Sequence, residues 1–149
     1  MADLMRIEKK IVLLVLEFEI HIICLHIIKE INMYELLQHL IALKYSCKIN
    51  HWSTDDYARH LLFDRLHEDI DDWIDKIAER YFMATEDKSI FKANVLNPKF
   101  VELDIVKKCM QLIEVIERIV ADQEVNQGMV SLLTDIESGL LNKLALAKL

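Results

Sequence analysis

Leu36, Leu40, Leu43 and Cys47 recur at intervals of four, three and four residues, with His51 one turn further on. That spacing is the apolar stripe of an amphipathic helix, and it predicts one from Met33 to about His51. "STDD" follows and supplies Ser53, Thr54 and Asp55 as N-cap candidates for a second helix, expected from about Asp55 to Met83. The polar stretch "ATEDKSIFKANVLNP" reads as a connection, with Asn97-Pro98 marking a third helix start. Ile105, Cys109, Leu112, Ile116 and Ile119 stripe that third helix. After a turn at "DQEVNQG", Met129, Leu133, Ile136, Leu140 and Leu144 stripe a fourth. Four such stripes must be buried against one another, so the chain is predicted to be all-α, an antiparallel four-helix bundle over residues 33–149.

Residues 1–32 stand apart as an N-terminal extension. "IVLLVLEFEIHIICLHII", residues 11–28, has the length of a membrane span, but Glu17, Glu19, His21 and His26 lie within it, where ionisable groups are costly. No small-residue cleavage site follows it, as a signal peptide requires. The alternation from Glu17 to Ile22 hints at a strand. An extra helix, or an extension ahead of a start at Met33, are the other readings, with buried packing or oligomer contact preferred over membrane.

Composition narrows the class. The chain has 149 residues, 53% of them hydrophobic, with two glycines and one proline, which suits long helices and short turns in one domain. A net charge of −7 favours cations as partners and argues against nucleic acid, which calls for a basic face. Cys24, Cys47 and Cys109 are widely spaced and odd in number, the pattern of reduced thiols in a cytoplasmic protein.

The chemistry concentrates in residues 50–80, which hold nine Asp or Glu, three His and both tryptophans. His60 and Asp64 are four apart, as are Asp75 and Glu79, and eleven residues separate Asp64 from Asp75, so all four fall on roughly one side of a helix. Those eleven residues also span about 16 Å, too far for one ion to be held by both pairs. An antiparallel crossing of two copies about a two-fold axis near Asp69 and Ile70 would set His60 against Glu79 of the second copy, and Asp64 against its Asp75. His51 could complete each cluster. Tyr57, Leu61, Leu66, Ile70, Trp73 and Ile77 would line that self-complementary contact. Imidazole with carboxylate and no cysteine suits ferrous iron better than structural zinc. Any one of these residues alone reads more simply as part of a solvated helix face. His67 and Asp71 form a secondary pair at the same spacing, and His39 reads as a packed or exposed helix residue.

"HW" at a helix end, HxxxD, and then DxxxE within "IAER" together resemble the Dps group of mini-ferritins. The resemblance is strong over residues 50–80 and extends weakly, through helical layout, over 33–147. The interval from His51 to His60 is shorter than in that group, and residues 1–32 have no counterpart. It implies a ferritin-like four-helix bundle whose ferroxidase site is His51, His60 and Asp64 of one chain with Asp75 and Glu79 of its mate, Trp52 lying near the iron. It further implies oxidation of Fe(II) to Fe(III) with peroxide or oxygen as acceptor, and storage in a hollow dodecameric shell. A helical interaction or structural protein without metal chemistry, and a di-metal oxygenase, are the alternatives. DNA protection does not carry over, because the basic tail it uses is not evident.

Overall fold

The α1 helix is Ala2–Ser53 and includes the first predicted stripe. It belongs to a computed structural model that describes residues 2–83, 104–122 and 125–147. Three further helices follow: α2, Tyr57–Met83; α3, Ile105–Val120; and α4, Gln127–Ala147. Among the described residues there is no strand, so the alternation at Glu17–Ile22 is helical rather than extended. The physical reason is that a lone strand leaves its backbone donors and acceptors without partners, whereas a helix satisfies them internally.

Contacts divide the chain into Met1–Asn32 and Met33–Leu149. In the first unit every residue from 10 to 24 is exposed, Ile11, Leu14, Phe18 and Ile22 among them. Among the described residues no helix is long and apolar enough to cross a membrane.

The second unit is built on the predicted stripes. Leu36, Leu40, Leu43 and Cys47 of α1 are fully buried, and Ile105, Cys109, Leu112, Ile116 and Ile119 of α3 join them. From α4 come Leu133, Ile136, Leu140 and Leu144, with Met129 packed against the cluster. Leu66, Ile70 and Ile77 of α2 lie in this same core, not on a face between copies as the sequence suggested. Burial of these apolar groups in their own chain wins because it needs no association step.

Cross-helix contacts give the directions. Tyr34 meets Tyr81 edge-on, Lys44 pairs with Asp71, and His51 stacks on His60, so α1 and α2 are antiparallel. Glu35 pairs with Arg118 and His39 with Lys108, which makes α3 antiparallel to α1 as well. On α4, Gly128 O accepts from Arg80 of α2, and Lys143 pairs with Asp69. A Cβ at Gly139 would lie 2.9 Å from Trp73 Cζ2, so the absence of a side chain there is what lets the indole approach α4. The consecutive helices α2 and α3 therefore run parallel to each other.

The helix starts sit later than "STDD" suggested. α1 extends through Ser53, closed by a bond from the Thr54 amide to Asn50 O at 3.0 Å, which removes Ser53 from capping the next helix. Asp56 takes that role: its Oδ1 accepts from the amides of Ala58 at 2.9 Å and Arg59 at 3.3 Å. Asp104 caps α3 through the Lys107 amide. The start expected at Asn97-Pro98 lies outside the described residues.

Candidate metal centre

Only residues 54–56 separate α1 from α2, so the last turn of one helix lies against the first turn of the other. This hairpin end brings His51 and His60 together. Their rings stack with centroids 3.8 Å apart and planes 30° from parallel. Each ring also holds the other residue's backbone: His51 Nδ1 is 3.1 Å from His60 O, and His60 Nδ1 is 3.0 Å from His51 O. A carbonyl oxygen can only accept, so each Nδ1 must be the donor. In the neutral imidazole that places the proton on Nδ1 and a lone pair on Nε2 of both rings. A metal-binding histidine is held in this way, its second nitrogen donating to a carbonyl that fixes tautomer and ring plane.

Asp64, one turn after His60, has its Oδ1 3.8 Å from His51 Nδ1, with the His51 side chain 15% and the Asp64 side chain 45% exposed. Two imidazoles and a carboxylate from one chain thus gather at the rim of the hairpin. Trp52, next to His51, is largely exposed and has the Lys48 ammonium 6.0 Å from its ring centroid. Asp75 and Glu79 are exposed further along α2 and are not brought to the histidine pair within the chain. Among the described residues, no group of three or more His, Cys, Asp or Glu in a single chain is arranged to hold a metal ion.

The secondary pair is differently engaged. Asp71 is held by the Lys44 ammonium of α1. Burial first, and then the ammonium groups of Lys48 and Lys44, keep His67 below the usual imidazole range against the opposite pull of Asp71 and Asp64. Cations already occupy the surroundings that a metal ion would need. The two core thiols are poor ligands: burial pushes Cys109 up to about 12, and burial with Cys109 nearby raises Cys47 too, so both remain protonated.

Two features escaped the sequence reading. One is the reciprocal histidine clamp, which spacing alone could not reveal because it needs the turn geometry. The other is Lys108, fully buried with its Nζ 3.0 Å from His39 Nδ1. That one had a signal, since positions 105, 108, 112, 115 and 119 keep helical spacing and put Lys108 inside the apolar arc.

A comparison with curated proteins finds no match. A family model does match residues 51–144, a span that begins at His51 and takes in all five candidate ligands. On that match the chain belongs to a family of unknown function, DUF5856.

Proposed function

We propose that this chain is a ferritin-like four-helix bundle that takes up ferrous iron at the His51–His60–Asp64 rim and oxidises it, with Asp75 and Glu79 of a second copy completing the site. The observation that carries the reading is the histidine clamp, which leaves an Nε2 lone pair on each of two rings at the end of one hairpin, with the Asp64 carboxylate 3.8 Å from His51 Nδ1. Consecutive α2 and α3 running parallel also supports a ferritin-like connectivity, the bundle arrangement with one long connection.

The donor set suits the task. Imidazole and carboxylate accept a borderline cation, and further carboxylates offset the charge gained when iron goes from +2 to +3. Each ferrous ion gives up one electron. Two of them, with two protons, reduce one hydrogen peroxide to two waters, so no hydroxyl radical is released; dioxygen is the other acceptor. Since Ile70 is buried, the contact between copies uses the outer face of α2 that carries Leu61, Glu68, Asp72, Asp75 and Glu79, all exposed. A second reading is a helical interaction protein without metal chemistry, supported by the large exposed side chains Trp52, Tyr57 and Leu61 near the hairpin end.

Ferrous oxidation followed by absorbance separates the two. Asp64→Asn, Asp75→Asn and Glu79→Gln should each slow it by about tenfold or more, the loss usual on disturbing a metal site. Asp56→Asn keeps a capping oxygen, so it should stay within about twofold of wild type. Mixing His60→Ala with Glu79→Gln subunits should regenerate intact sites in heterodimers and recover activity. Equal rates for all single variants would leave the interaction-protein reading, and a mixture without recovery would remove the shared site.

A further inference from the structure

Lys108 lies in the apolar stripe of α3 and is fully buried, yet its Nζ reaches His39 Nδ1 on α1 at 3.0 Å. The other ring nitrogen faces Glu35 Oε1 at 3.9 Å on the same helix. Glu35 in turn pairs with Arg118 of α3 at 3.2 Å. Among the described residues the charged groups acting on the ring are thus Glu35 from α1 and Lys108 and Arg118 from α3. An ammonium has donors only, so Nδ1 must accept from it. The contact therefore holds one proton between the two nitrogens. A second proton deletes the acceptor and sets two cations side by side where water screens them poorly.

We infer that the His39–Lys108 contact is an acid-released clasp between α1 and α3. With the ring neutral it ties the helices, and with the ring protonated it pushes them apart. Burial and then Lys108 keep the ring below its ordinary value of 6.5, against the opposing pull of Glu35. The folded chain binds fewer protons here than the unfolded one. The clasp's stabilisation is therefore whole above that ordinary value and is lost as pH falls from it through the lower folded value.

Amide hydrogen exchange of the full chain at about pH 7.5 and about pH 5.5, corrected for intrinsic rates, reads this locally. Wild type should gain about fivefold or more in exchange over α3 and residues 33–44 on acidification, and less than about twofold over α4. His39→Asn puts an amide Oδ1 where Nδ1 sits, so it can accept from Lys108 but cannot titrate. The double variant His39→Leu/Lys108→Met replaces both members of the contact with apolar groups, so neither buried polar group loses its partner alone. Both should show less than about twofold change over α3. Wild-type exchange over α3 that ignores pH, a rise shared equally by α4, or an undiminished acid response in either variant would overturn the clasp.

Discussion

Replacing His60 by Asn separates the two jobs the clamp assigns to this ring. The Asn Nδ2 occupies the place of imidazole Nδ1 and can still donate to His51 O, now bonded at 3.0 Å, but nothing stands where Nε2 was. His60→Ala removes both functions. One half-buried hydrogen bond to a carbonyl is worth about 0.5–1.5 kcal/mol net, toward the low end where water can replace the donor. The ring stack at 3.8 Å adds about 0.5–1 kcal/mol. His60→Ala should then cost about 1–2 kcal/mol, a fall of roughly 4–8 °C in Tm for a unit of this size, and His60→Asn about half as much. Iron oxidation should not follow that order. Both variants lack the Nε2 lone pair, so both should be slower by about tenfold or more. Thermal unfolding by circular dichroism and the absorbance assay, run on the same preparations, give the two readings. His60→Asn oxidising iron at the wild-type rate would refute Nε2 as a ligand. His60→Asn destabilised as much as His60→Ala would refute the hydrogen bond that orients it.

Gly139→Ala gains up to about 1 kcal/mol of helix propensity but places a Cβ 2.9 Å from the Trp73 ring, an overpacking cost of about 1–3 kcal/mol. The variant should be less stable by up to about 2 kcal/mol in urea unfolding, and a stabilised variant would refute the close α2–α4 approach. Alkylation of the native chain at about pH 8 should label exposed Cys24 and spare Cys47 and Cys109 until denaturant is added. Equal labelling rates for all three thiols would show that the α1–α3 core opens without unfolding.

Local periodicity was enough to place the core, because which face of a helix is apolar depends only on residue spacing. Leu36, Leu40, Leu43 and Cys47, the α3 stripe, and most of the α4 stripe went where that spacing put them. Helix ends were less legible: Ser53, Thr54, Asp55 and Asp56 are all competent caps, and the choice of Asp56 depended on how far α1 ran before it. The i, i+4 pairing put His60 and Asp64 on one face, but it could not give His51 its partner, since the His51–His60 clamp exists only once a three-residue turn folds α2 back on α1. Nor could it tell that Leu66, Ile70 and Ile77 face their own core while Asp75 and Glu79 face out. A periodic stripe says that a face is buried, not against what. Lys108 shows the limit most plainly. Its position in the stripe was readable, but its contact with His39 was not, since that acceptor nitrogen lies 69 residues away in sequence and was brought there by the antiparallel packing of α1 and α3.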